Sequence, residues 1–291
     1  SSAASDVYKR QSNHRFTKIK KSSLNNIWCL TYDKRCYLFN TRTYEYQDPF
    51  LFNKSLTNSV SKLYALGKGI TWAVGMQNEL YRIDENKFPA TESVELYSGR
   101  NERDTIYGIT QDKDGDEWIL TNKGALIVGQ KSISNLMPFE FMVEVPGGIY
   151  LATSKGFFTR YDTQSQDVLP CVPEQPISEI TGLKSLADNK IVILQNRSII
   201  LYDPANEKFT VHEMPIEIDS DVFEDKKGNL WLLGANDRVI LLDKENKNTT
   251  LLNYPRYSEV PFYKPCTFVH EDEYGCIWLK PAGLSLIHIS E

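Results

Sequence analysis

The 291-residue chain is poor in the residues that build metal centres and nucleophilic sites: it has four histidines and five cysteines. No His-x-x-x-His, C-x-x-C or zinc-ligand spacing links them. G-x-S-x-G, P-loop and dinucleotide fingerprints are also missing. No catalytic residue, metal or cofactor is therefore expected. No apolar run approaches the roughly 18 residues that read as a membrane helix. No Lys/Arg block stands out, and 33 basic against 38 acidic side chains leave a net charge of −5, which argues against a nucleic-acid surface. What the chain does have is aromatic residues: 16 Tyr, 13 Phe and 5 Trp, which favour strands. With 41% hydrophobic and 24% charged residues, it can bury a full core.

Self-similarity organises the sequence. The pattern D-x-x-G-x-x-W-[IL] occurs three times: Asp112, Gly115, Trp118, Ile119; Asp225, Gly228, Trp231, Leu232; and Asp272, Gly275, Trp278, Leu279. Glu144, Gly147 and Tyr150 keep the spacing with Tyr in the Trp slot, and Gly69 with Trp72 keep it without the acid. Asn25 with Trp28, and Asn189 with Val192, keep its outline. A second marker, Asp or Asn, follows eleven or twelve residues after the anchor, at Asn40, Asp84, Asp162, Asp203 and Asp243. The anchors at 28, 72, 118, 150, 192, 231 and 278 are spaced about 42 residues apart, the period of a four-strand propeller blade. Short apolar runs between turn signals such as KDGD and KKGN leave no helix longer than two turns. The expectation is all-β: a β-propeller of about seven four-stranded blades.

The motif chemistry reads as scaffold. Asp can bond backbone amides two residues on, Gly supplies positive φ, and the Trp ring fills the wedge between radial sheets. The downstream Asp or Asn closes the third strand. Asp112, Asp114, Asp116 and Glu117 have a partial look of a calcium loop but lack its terminal bidentate Glu. Cys29 and Cys36 flank a tight turn, which leaves a disulfide open, although free buried thiols are commoner. His270, beside Glu271 and Asp272, is weak as a functional residue, as are His14 and His212.

Residues 5–11 (SDVYKRQ) and 285–291 (SLIHISE) resemble translated sequencing-adapter sequence. Segments 1–11 and 285–291 are accordingly set aside, leaving 12–284 as the propeller. The last blade then lacks a strand, which residues 14–21 (HRFTKIKK) could supply by circular closure.

The runs DTIYGITQDKDGDEWILTNKGALIV, SDVFEDKKGNLWLLGANDRVILLD and FVHEDEYGCIWLKPAGLSLI resemble the two-component regulator propeller repeat. The resemblance implies the periplasmic sensor propeller of a membrane histidine kinase, commonly a hybrid one, that responds to polysaccharide breakdown products. It implies an oligosaccharide ligand and contact with a neighbouring propeller or a dimer mate, with no nucleic acid and no membrane insertion by this part. The G-T that follows Trp in that family is degraded in most copies here, and the fifth repeat has lost both Gly and Trp. No kinase motif occurs, so this stretch is not itself an enzyme.

In such a propeller the ligand face is built by inter-blade loops and by turns joining second and third strands. The long inter-blade loops are 98–105, 169–179 and 253–265. Candidate ligand residues are Arg100, Asn101, Arg103, Tyr254, Arg256, Tyr257, Phe262 and Tyr263, with Asn122, Lys123, Asn236 and Arg238 from short turns. Aromatic faces stack on sugar rings and Arg gives forked bonds. The same set equally fits a docking surface. A propeller-scaffold lyase or glycosidase is the enzymatic alternative and would need His, Tyr, Arg or paired carboxylates converging from several blades. A pure protein-interaction propeller is the third, weakened by the missing G-H…W-D signature.

Overall fold

The computed structural model describes residues 16–53, 56–88, 90–98, 104–128, 138–146, 148–162, 165, 167–234, 238–243, 249–253, 266–281 and 287–289. Within them lie seven antiparallel sheets, each formed by consecutive strands lying side by side in chain order. The chain divides into two compact units, Ser1–Arg103 and Asp104–Glu291.

The first unit holds two four-stranded sheets: Phe16–Lys21, Ile27–Thr31, Cys36–Asn40 and Glu45–Gln47, then Val60–Ala65, Ile70–Gly75, Leu80–Asp84 and Val94–Leu96. Their first strands adjoin. Trp28, Leu30, Cys36 and Leu38 of one sheet face Ala73, Tyr81, Ile83 and Val94 of the other to form its core.

The second unit repeats this plan. The third sheet is Ile106–Gln111, Glu117–Thr121 and Gly124–Ile127; the fourth is Phe141–Val145, Gly148–Ala152, Phe158–Asp162 and Asp167–Pro170. The fifth is Gly182–Ser185, Ile191–Leu194, Ser198–Asp203 and Lys208–Glu213; the sixth is Ile218–Glu224, Leu230–Gly234, Arg238–Leu242 and Thr249–Asn253. The seventh is Cys266–Glu271, Ile277–Pro281 and Ile287–Ile289. First strands of successive sheets again adjoin, and apolar cores lie between sheets, face against face. This explains why second strands such as ITWAVG and IVIL are buried at every position: a sheet covered on both faces needs apolar residues on both sides.

Five sheets have four strands, and the third and seventh have three among the described residues, the seventh in line with a last blade short of a strand. One expectation is corrected. Phe16–Lys21 does not complete the last repeat; it is the first strand of the first sheet, paired with Ile27–Thr31. A turn from Ser22 to Asn26 folds it back at once, and so short a loop costs little closure entropy. Ile287–Ile289, inside the segment set aside as adapter-like, pairs with Ile277–Leu279.

Between Cys29 and Cys36, where a disulfide was left open, the commoner state of free buried thiols holds. Cys29 lies opposite Tyr37, whereas Cys36 lies opposite Leu30, so the two side chains project from opposite faces of the sheet. Both are free and buried. Burial pushes the Cys29 thiol from its usual 9.0 up to about 11. In the unfolded chain this thiol loses its proton first, so its contribution to stability is complete below pH 9.0 and is lost as pH rises towards about 11. Urea midpoints should therefore fall more steeply across that window in the wild type than in Cys29→Ala. Parallel slopes would show that the thiol carries none of this dependence.

Candidate functional site

The motif carboxylates are spent on structure. Asp112 Oδ1 accepts the Asp114 and Asp116 amides at 3.0 and 2.9 Å, and its Oδ2 accepts the Trp118 indole N–H at 2.8 Å. Asp225 does the same with the Lys227 and Asn229 amides and with the Trp231 indole at 2.9 Å. Asp272 accepts the Tyr274 and Cys276 amides. Gly115, Gly228 and Gly275 stand at φ 93, 83 and 83°, which glycine reaches without strain. Among the described residues no group of three or more His, Cys, Asp or Glu side chains is placed to hold a metal ion.

Sequence reasoning missed a second carboxylate role. Glu224 accepts the Ala187 amide of the preceding sheet's turn at 2.7 Å, and Glu271 accepts the Lys226 amide at 2.7 Å. Each Glu directly precedes a motif Asp, so the pair E-D was the available signal. Glu144 belongs with these, not with the Asp slot assigned by spacing. Tyr150 pairs with Val143, seven residues before it, whereas Trp118 and Trp231 pair eight residues back, so this turn is one residue shorter. Burial and the nearby Asp112 charge raise the Glu144 carboxyl, consistent with a position against the preceding sheet's turn.

In the first unit, Glu85 joins the two sheets. It is 7% exposed and accepts from Ser22 Oγ at 2.7 Å and Trp28 Nε1 at 2.9 Å. Asn26 Nδ2 and Thr71 Oγ1 lie at 3.4 and 3.5 Å. Trp28, whose own repeat lacks the motif Asp, thus borrows a carboxylate from the next sheet.

Of the candidate ligand residues, Arg100, Asn101, Arg103, Asn236, Tyr254, Arg256, Tyr257, Phe262 and Tyr263 lie outside the described residues. The Asn122 main-chain amide donates to the Thr105 carbonyl at 3.1 Å and its Oδ1 accepts the Thr105 amide at 3.0 Å. This places a second-to-third-strand turn beside an inter-sheet loop, as expected of one face. Lys123 is exposed, and Arg238 starts a strand opposite Gly234 and Asn253. Loop 169–179 is anchored: Ile177 is buried, and a Cβ on Gly156 (φ 93°) would meet the Ile177 carbonyl oxygen at 1.9 Å. His270 pairs with Trp278 in the backbone register beside a register shift in the seventh sheet.

Two clefts open between sheets of the second unit. One, of about 210 Å³, lies between the fifth and sixth sheets, with Leu186, Leu201, Leu230 and Leu242 below a rim of Lys190, Asp203, Lys208, His212 and Asp243. The other, of about 230 Å³, lies between the fourth and fifth sheets and is lined by Arg160, Leu169, Pro170, Cys171, Val172, Tyr202, Glu207 and Phe209. Behind it Tyr150, Phe158, Tyr202 and Phe209 pack ring on ring, with centroids 4.6 to 6.2 Å apart. The Tyr150 and Tyr202 rings lie 5.7 Å apart, and Tyr202, Arg160 and Cys171 line the cleft together. Burial raises both phenols and the thiol, so these groups are neutral apart from the guanidinium.

Successive antiparallel meanders that adjoin through their first strands within each unit are the blades of a β-propeller, and solved structures agree. Over 94% of its length the chain superposes on the extracellular domain of a protein described as a hybrid two-component system of B. thetaiotaomicron, with TM-score 0.64 and 15% identity. It spans 40% of that chain. Virginiamycin B lyase from Staphylococcus aureus, in a structure with quinupristin, matches with TM-score 0.66 and 15% identity, over 94% of each chain. The extracellular domain of a protein described as a one-component system of B. thetaiotaomicron matches with TM-score 0.55 and 12% identity, over 96% of this chain and 49% of that one. No protein-family model and no curated protein matches the chain. Among the described residues no helix is long and apolar enough to cross a membrane.

Proposed function

We propose that the chain is a non-catalytic, ligand-sensing propeller of a two-component sensor protein, exposed on the periplasmic or extracellular side and responsive to an oligosaccharide. The observation that carries this reading is the fold likeness to extracellular domains of such systems over 94% of the chain, joined to a repeat that resembles theirs. The motif acids Asp112 and Asp225 are committed to indoles and turn amides, so they are not available for chemistry. Signalling then requires two arrangements of the propeller against a neighbouring domain or dimer mate with different ligand affinity.

A glycan library screened by thermal shift tests this. One oligosaccharide should raise the melting temperature progressively with its concentration, as binding to the folded state demands. A well-folded sample that responds to none would remove the glycan-sensing reading. The competing reading, a lyase, draws on the mutual 94% coverage with virginiamycin B lyase. Incubation with quinupristin followed by chromatography and fragmentation mass spectrometry tests it: an altered product, even one of unchanged mass, supports the enzyme, and unaltered quinupristin leaves the lyase reading without support.

A further inference from the structure

We propose that the cleft between the fourth and fifth sheets is a binding site for a single uronic-acid ring, with Arg160 receiving its carboxylate. The inference rests on the glycan-sensing reading and names the ligand class.

The argument begins with one residue change in the repeat. Where the third and sixth sheets place Trp118 and Trp231, the fourth places Tyr150. An indole N–H only donates, and in those sheets it is consumed by the motif Asp. A phenol also accepts. Tyr150 stands cross-strand from Arg160, which stands cross-strand from Leu169, so all three share the face turned to the fifth sheet. The buried Tyr150 sets a phenol cross-strand from Arg160, where the other two sheets have an indole already bound to the motif Asp.

The guanidinium has donors left for a ligand. Its five N–H groups exceed what can be accepted by Asp162, whose Oδ2 lies 3.8 Å away while its Oδ1 accepts the Ser165 amide. The Arg160 side chain is 29% exposed, at the cleft rather than in open solvent. The four packed rings behind it hold this wall rigid, which lowers the entropy cost of binding. A carboxylate matches the planar fork with two parallel hydrogen bonds.

The rest of the cleft suits a sugar body. Phe209, Leu169 and Pro170 give an apolar wall for the C–H face of a pyranose, and Glu207 opposite can accept from its hydroxyls. Its volume of about 230 Å³ is below the roughly 300–1,000 Å³ of drug-sized sites, so it takes one ring and not a chain. The charged groups around it are Arg160, Asp162 and Glu207. Arg160 is the cation there for one anionic group, and Glu207 an acceptor for hydroxyl donors.

The probe is D-glucuronate, titrated calorimetrically into the full chain beside glucose and inorganic phosphate. Cys171 lines the cleft, so its alkylation at alkaline pH, read by peptide mass spectrometry, reports occupancy locally. Glucuronate should bind and slow Cys171 labelling several-fold, leaving Cys276 unaffected, while glucose and phosphate do neither. Arg160→Gln should weaken binding about ten- to hundred-fold. Tyr150→Phe keeps the ring packing and should weaken it less, which covers the case in which the Arg160 variant folds poorly. Equal protection by phosphate, an unaltered affinity in Arg160→Gln, or no protection by glucuronate would overturn the proposal. A neutral glycan that raises the melting temperature without touching Cys171 labelling would overturn this site while leaving glycan sensing intact.

Discussion

Replacing Trp231 with alanine is expected to destabilise the folded chain by about 3–5 kcal/mol, the cost of emptying a buried aromatic site. Trp231 is 2% exposed and packs with Leu233 and Val239 of its own sheet against Ile277 and Leu279 of the next. The loss has two parts. The ring fills the wedge between two sheets, and its N–H satisfies Asp225 Oδ2. Trp231→Phe separates them: it keeps most of the ring area and should cost about 1–2 kcal/mol, mainly the lost hydrogen bond to a charged acceptor. Asp225→Ala should cost about 2 kcal/mol, because the Lys227, Asn229 and Trp231 donors lose their acceptor together. Urea unfolding followed by tryptophan fluorescence and by far-ultraviolet circular dichroism measures all three. An alanine variant within 1 kcal/mol of wild type, roughly the mean effect of any point change, would mean that the indole does not hold these sheets together.

Glu85→Ala should cost on the order of 3 kcal/mol, since buried hydroxyl and indole donors are left unpaired. The carboxylate takes Ser22 from the first sheet's turn, Trp28 from its second strand, and Thr71 from the second sheet. Loss should therefore loosen both sheets of the first unit, read as faster amide exchange at Trp28–Leu30 and at Thr71–Ala73. Glu85→Gln retains one acceptor oxygen and should fall between alanine and wild type. If exchange rises in one sheet alone, Glu85 is not a bridge.

The period of the repeat was legible because the turn chemistry is local. Asp112 meets its amide and indole partners within six residues, so spacing alone exposes it. The same locality made the closing Asp or Asn of third strands readable: Asn40, Asp84 and Asp203 each accept an amide two residues on. Where the turn changes length, spacing misleads, and Glu144 was placed one position off for that reason. Glu85 escaped notice entirely. Its partners lie 57 to 63 residues away for Trp28 and Ser22, and no local pattern marks it. Asn122 reads in sequence only as a polar turn residue, and its tie to the neighbouring loop at Thr105 shows only in the structure.

The sequence by itself determined the all-β character, the repeat and the scaffold role of its Asp, Gly and Trp, because all three follow from contacts within one hairpin. Tertiary structure alone decided what faces what. Register put Cys29 and Cys36 on opposite sides of one sheet. Packing of the fourth sheet on the fifth brought Arg160, Cys171 and Tyr202 to one cleft with Tyr150 behind it. Those residues come from two separate hairpins, and only the burial of both sheet faces against each other fixes which side chains meet.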